Sequence, residues 1–501
     1  MILHNATFVS RPDADLLVVK GDRIAAIGCE GSIPEQLLSD RERLDLGGRA
    51  VLPGFVDAHV HLFNTGLTEL GWRIGLSGMS REETLAALAS SAADRGTGEW
   101  VIGAGWDESV WSDRQYLNRR ELDRITTRSP IGAVRMDGHL LVVNSEALRV
   151  LGGRPASELD VALVDEETGQ IREESAWRIL QSLEPDQTTL SDALAAAARL
   201  CHRLGVTSVH AMTPRSRVPV LLRTKGRDRL RVNAYHKVAS AEEIDDVRAA
   251  DDFDGAWVRF GGVKAFADGS LGAGNAAVSE PYPDGRTGAL NHSDASLEAI
   301  VRRCEKEGWQ TAIHAIGDRA IEQVLRIHAT VGSFSDKRHR IEHVELATGK
   351  QIERARDLGL CLSMQPNFIG NWSGPASMNE RRLGRSRDEV SNPLRRVLDA
   401  GAPLAFGSDG MPISPIYGLH SAVNGPYESQ RVTVDEAIAC YTASGARLSF
   451  EEDTKGRLDV CAYADLVVLD KDPRLDPECL SERRVERVYV GGTLVYEGEE
   501  G

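Results

Sequence analysis

Two histidines one residue apart, His59 and His61, sit in the apolar run "VLPGFVDAHVHLF" at residues 51–63. On a β-strand, residues i and i+2 share a face, so these imidazoles lie side by side, with Asp57 on the same face. Neutral imidazole is a common metal ligand. Two satisfied strand histidines would read the same way, so the rest of the chain has to decide. It offers four more residues suited to ligation or proton transfer, each near the polar end of an apolar run. They are Lys264 in "GGVKAFADGS", His314 in "QTAIHAIGD", His343 in "HRIEHVE" and Asp409 in "AFGSDGMP". One histidine alone is more often a packed core or surface residue. Four of them on three such runs form a metal-ligand constellation.

Lys264 stands out because lysine is scarce, with nine among the 59 lysines and arginines. A lysine in an apolar strand costs several kcal/mol unless paired or neutralised, and its pKa falls readily. It can snorkel to a rim, or lose its proton and capture CO2 as a carbamate. The carbamate is an anion whose two oxygens can bridge two cations. Asp409 follows a buried run, between Ser408 and Gly410. A carboxylate there can bind a metal and accept a proton. The plainer alternative is a turn aspartate that caps a following helix.

The elements that must position these groups are legible as eight apolar runs. They cover 54–61, 206–212, 231–238, 258–269, 310–318, 339–345, 360–368 and 403–410, with helical patterns between most of them, such as 296–308, 319–331 and 350–359. Alternating strands and helices indicate an α/β protein, and eight such strands a (β/α)8 TIM-type barrel. Polar residues at the C-terminal ends of barrel strands converge on one pocket. About 140 residues separate the first strand from the second, far more than a strand-to-helix connection needs. An inserted subdomain at about 64–195 is therefore expected to sit over the pocket as a cap. Hairpin signals flank Gly21-Asp22 and Gly491-Gly492. The two ends are expected to meet in a small β-sandwich, residues 1–52 with 440–501, around a barrel of residues 53–439.

Composition removes several function classes. The net charge is −16, against the basic patches that nucleic-acid binding needs. No run approaches a membrane span, and "MILHNATFVS" lacks the features of a secretory signal. The seven cysteines are dispersed and never in CxxC, which points to reduced thiols and a cytoplasmic location. No P-loop or dinucleotide fingerprint follows a strand. The stretch "GSLGAGNAAV" at 269–278 has neither spacing and reads as a loop near the pocket.

The motifs "VLPGFVDAHVH", "VKAFADGSLGA", "AIHAIGDRAI", "HRIEHVEL", "SMQPNF" and "FGSDGMPISP" together resemble the amidohydrolase superfamily. Within it, the chain is similar to the YtcJ-like group, amidohydrolase family 3, which includes N-substituted formamide deformylase. The resemblance covers essentially the whole chain. It departs mildly in a short insertion and in "RLDVCAYADL", where a glycine usually precedes the alanine-aspartate pair. It implies a barrel with a β-sandwich built from both termini and a centre of one or two divalent ions, zinc first. By position, His59, His61 and Asp409 would hold one ion, and His314 and His343 a second, with carboxylated Lys264 bridging them. Asp409 would act as base and then acid in hydrolysis of a non-peptide C–N bond of a small amide. Trp106, His139, Glu173 and Gln365 would touch substrate. A catalytically silent regulatory homologue and a lyase or isomerase using the same centre remain alternatives. Barrel hydrolases of this kind often pair, so a homodimer is compatible, though no interface is readable.

Overall fold

All eight apolar runs form strands of one parallel sheet in the computed structural model. It describes residues 1–498 except 40, 153–162, 184, 250–252, 254 and 333–335. The strands are Phe55–Val60, Val206–Thr213, Arg231–Lys237, Val258–Phe266, Gln310–Ala315, Arg340–His343, Cys361–Met364 and Leu404–Phe406. Each pairs with the next in chain order, and the sheet curls into a nearly closed barrel. At the seam, the Asp409 N–H donates to the His59 carbonyl at 2.7 Å. Gly407 makes that approach possible, since a Cβ there would lie 2.4 Å from the His59 backbone nitrogen. Most strand residues are buried on both faces, as parallel strands under helices must be. The covering helices show the amphipathic period. Asp294–Glu307 buries Leu297, Ile300, Val301 and Cys304.

Outside the barrel, Leu16–Lys20 and Arg23–Gly28 form the hairpin expected around Gly21-Asp22, and Val485–Val490 with Thr493–Glu497 form the second. The first belongs to a four-stranded sheet of N-terminal residues. The second belongs to a five-stranded sheet in which Ala50–Pro53 pairs antiparallel with Leu466–Leu469. Leu3, Leu17, Val51, Leu466 and Tyr489 fill one core between these sheets. Chain ends far apart in sequence thus share one small β-unit.

The segment between the first two barrel strands carries its own six-stranded sheet. Its order is Val164–Asp165, Gln170–Arg172, Leu140–Val143, Ile131–Arg135, Val101–Trp106 and Ile74–Gly75. The sheet has separate apolar clusters, so the insertion is a folded unit rather than a long loop. Among the described residues, no helix is long and apolar enough to cross a membrane.

Candidate metal centre

Strand alternation brings Asp57, His59 and His61 to the barrel mouth, and the seam brings Asp409 to them. One ligand atom from each of His59, His61 and Asp409 lies within 4.8 Å of the others. His61 Nε2 is 3.1 Å and His59 Nε2 3.5 Å from Asp409 Oδ1. Asp409 has φ of +56°, a left-handed conformation that costs a non-glycine residue energy and tends to persist at functional sites. The Asp57 carboxylate accepts from the backbone N–H groups of Ser408 and His59, at 2.9 and 3.1 Å, and from the Ser408 hydroxyl. Asn367 Nδ2 donates to the carbonyls of Ser408 and Met411, each at 2.7 Å. Asp57 and Asn367 therefore fix the loop that aims Asp409. Burial raises the Asp57 carboxyl to about 6, against the pull of its donors.

His343 and His314 continue the cluster, with ring centroids 4.5 Å apart, and His343 lies 4.8 Å from His59. In each of these three rings one nitrogen is tied down. His59 Nδ1 meets Glu342 Oε2 at 2.5 Å, and His343 Nδ1 meets Gln365 Oε1 at 2.7 Å. His314 Nε2 meets the Gly269 carbonyl at 3.1 Å. A nitrogen that donates its proton to an oxygen leaves the other nitrogen of a neutral ring with a free lone pair. The free atoms are His59 Nε2, His343 Nε2 and His314 Nδ1. Burial holds all three rings well below the usual histidine pKa, as ligands require.

Lys264 ends in the same place. Its ammonium is fully buried, without a hydrogen bond, and 4.7 Å from the Phe266 ring. Burial lowers its pKa to about 8, while Glu342 and Asp409 oppose the shift. His59 Nε2, Lys264 Nζ and Asp409 Oδ1 are all buried and lack a hydrogen-bond partner. Buried polar atoms are rarely left so; a cation would satisfy the His59 nitrogen and the Asp409 carboxylate, and Lys264 would join them only after its ammonium has lost its proton. The donor set of imidazole and carboxylate suits zinc and related divalent ions.

The remaining candidates divide. Gln365 touches His343 and so fixes the orientation of that ring. His139 lies in the cap, its ring 5.2 Å from His314, with Nδ1 2.8 Å from Glu173 Oε2. Glu173 also accepts from Asn275 of the glycine-rich loop. Burial opposes protonation of His139, yet the Glu173 carboxylate raises its pKa to about 9. Trp106 is elsewhere. It is fully buried in the insertion's core, stacked on Trp111, with Nε1 donating to the Ala133 carbonyl at 3.0 Å. Its bulk and its satisfied N–H make it a packing residue of the cap rather than a wall of the site.

Sequence reasoning passed over two groups. Arg340 donates to Glu342 through Nε and Nη2, at 2.8 and 2.9 Å, and both side chains are fully buried. Their signal was a charged pair two residues apart within a buried strand. Arg135, at the end of a cap strand, is clamped by Glu108 and by Asp137, which also accepts from Ser270. This cluster joins cap to barrel, and no local motif marks it. Above the centre lies a cavity of about 470 Å³. His61, Asp409 and Lys237 border it from the barrel, and His139, Trp177 and Leu180 from the cap.

The model of a family described as "Amidohydrolase family" matches residues 42–496. The chain belongs to that family. This amidohydrolase is 30% identical over 494 residues to "Putative amidohydrolase YtcJ" of Bacillus subtilis (strain 168), with 91% of each chain covered. It is 27% identical to N-substituted formamide deformylase of Arthrobacter pascens, across 97% of this chain and 95% of that protein. The crystal structure of an uncharacterized metal-dependent hydrolase from Pyrococcus horikoshii OT3 has a TM-score of 0.75 at 28% identity, covering 95% of this chain and 98% of that one. The amidohydrolase is a metal-dependent hydrolase whose barrel mouth holds a His-His-Asp site.

Proposed function

We propose that the protein hydrolyses a non-peptide C–N bond in a small amide, most simply an N-formyl or N-acyl amine. The observation that carries this reading is the convergence of three unsatisfied buried atoms, on His59, Lys264 and Asp409, beside neutral imidazoles. The similarity to N-substituted formamide deformylase supports the bond type. His59, His61 and Asp409 would hold one divalent ion, zinc first, and His314 and His343 a second, with Lys264 carboxylated between them. Such ions supply Lewis-acid polarisation and acidify water to near neutrality.

The chain's own groups do the rest. Asp409 has its pKa near 2; burial would raise it, but His61 and His59 outweigh that, so it is an acceptor at neutral pH. It takes the proton from the attacking water and returns it to the leaving nitrogen, base first and acid second. His139, cationic beside Glu173, faces the negative charge that builds on the carbonyl oxygen. The cap walls the cavity and limits water. Retention of every expected ligand speaks against a silent regulatory homologue. The unpaired cysteines support a reducing, cytoplasmic setting.

The test is a screen of N-formyl and N-acetyl amines on zinc-loaded protein, with chelated protein as control and product analysis to separate hydrolysis from elimination or isomerisation. Carboxylation of Lys264 predicts a carbamate signal by NMR after loading in 13C-bicarbonate. Protein with bound metal that hydrolyses no amide refutes the reading, and a loaded centre without the carbamate refutes the bridge.

A further inference from the structure

The barrel has another opening, at the end away from the metal centre. The N-terminal face of such a barrel ordinarily serves stability. Here it holds a cavity of about 330 Å³, a size that suits a small molecule. Asn233, residues 259–261 and residues 308–310 border it from the starts of the third, fourth and fifth barrel strands. Asp336, Lys337 and residues 448–450 complete the border. Gly261 keeps the space open beside Asn233, since a Cβ there would lie 2.8 Å from Asn233 Oδ1 and 2.7 Å from the Tyr235 ring.

Three kinds of group face this space. Asn233 is only 3% exposed, and its Nδ2 makes one long bond, 3.4 Å, to the Tyr235 hydroxyl. Among the described residues its Oδ1 accepts nothing, and buried amide oxygens are rarely left so. Gln310, by contrast, is spent. It donates to the carbonyls of Arg338 and Leu448 at 2.6 and 3.1 Å and accepts from Tyr235. The second kind is aromatic. Phe260 and Trp309 meet edge to face with centroids 4.8 Å apart. Phe450 is 45% exposed and has φ of +59°, a costly conformation for a bulky residue, of the kind that gathers at functional sites. The Arg338 guanidinium, 4.4 Å from its ring, holds it there. The third kind is cationic. Among the described residues, Arg259 comes no closer to a carboxylate than 3.9 Å, to Glu451, which is itself 2.5 Å from Lys455. Lys337 lies 3.6 Å from Asp336, the one acid on the border. Both cations keep charge to offer an anion.

We propose that this cavity is a second, non-catalytic binding site for a small aromatic acid that carries a hydrogen-bond donor opposite its carboxylate. The carboxylate meets Arg259 and Lys337, the ring packs against Phe260, Trp309 and Phe450, and the donor reaches Asn233 Oδ1. None of these residues belongs to the metal centre, so the site stands apart from the amide reading.

The experiment is calorimetric titration of para-hydroxybenzoate into the zinc-loaded protein and, because a carboxylate can also bind zinc, into chelated protein. One saturable site of equal affinity is expected in both. Arg259→Gln, or Lys337→Gln if the first fails to fold, weakens it about 10-fold, the worth of a hydrogen bond to a charged group. Benzoate, which lacks the donor, and para-hydroxybenzyl alcohol, which lacks the charge, bind the wild type about 5–10-fold less tightly. Asn233→Ala removes the advantage of para-hydroxybenzoate over benzoate, which a merely structural asparagine would not do. Absence of saturable binding overturns the proposal, as does binding that chelation abolishes or that the charge variants leave within twofold of wild type. Inorganic phosphate bound as tightly as para-hydroxybenzoate overturns the aromatic assignment.

Discussion

Replacing Glu342 with Gln should weaken metal binding without touching a ligand. Glu342 accepts from His59 Nδ1 at 2.5 Å and takes two bonds from Arg340, all within a fully buried cluster. Its charge draws the His59 proton to Nδ1, which keeps Nε2 free and makes it more basic. Gln keeps the shape but loses the charge, and its NH2 turns a donor toward either the imidazole or the guanidinium. Loss of such an outer carboxylate typically costs 10–100-fold in metal affinity, or about 1.4–2.7 kcal/mol. Arg340 is also left a buried cation without a counter-charge, which costs about 3–5 kcal/mol of stability. The assay is competition for zinc against a chromophoric chelator, read beside thermal unfolding of the zinc-free protein. Glu342→Asp, which keeps the charge but shortens the reach, should fall between the two. A folded Glu342→Gln protein that binds zinc within threefold of wild type would show that Glu342 does not orient His59.

Asp409→Asn should retain much of its zinc by direct metal analysis while kcat falls by about 10²–10⁴, the usual worth of a positioned proton carrier; a kcat near wild type would remove Asp409 from the reaction. Gly272→Ala would put a Cβ 2.0 Å from Arg135 Nη1, inside a clamp that cannot give, so calorimetry should show a loss of about 1–3 kcal/mol. The His139–Glu173 pair should stabilise the fold in a pH-dependent way. The folded pKa of His139 is raised from 6.5 to about 9, so its contribution of roughly 3 kcal/mol is whole below pH 6.5 and lost as pH rises through 9. Denaturant unfolding of wild type and Glu173→Gln between pH 6 and 10 checks this, and a stability gap that stays constant over that range would contradict it.

The barrel was legible because its strands are short apolar runs, five of the eight carrying a chemically distinctive residue near the end, as in "AIHAIGD" and "AFGSDG". The hairpins were legible from their glycine turns. The cap was legible as a gap in the rhythm, but not as a sheet, because strands such as Ile74–Gly75 and Val164–Asp165 are too short to show a period. Glu342 was hidden by its neighbour. Alternation should turn Glu342 and His343 to opposite faces, yet His343 has φ of +74°, so the backbone swivels and both reach the centre. Trp106 misled for the opposite reason. It sits beside Asp107 and Glu108, which do reach the Arg135 cluster, but its own ring packs away from them.

The strand Ala50–Pro53 runs through Gly54 directly into the first barrel strand, yet one of its two partners in the sheet is Leu466–Leu469. At translation rates of about 5–20 residues per second, that partner leaves the ribosome roughly 20–80 s later. Until then a fully apolar edge, continuous with the segment bearing His59, is without its cover. Nascent chains must be shielded over this interval, and loss of the last few dozen residues would leave the catalytic half of the molecule prone to aggregate rather than merely trimmed.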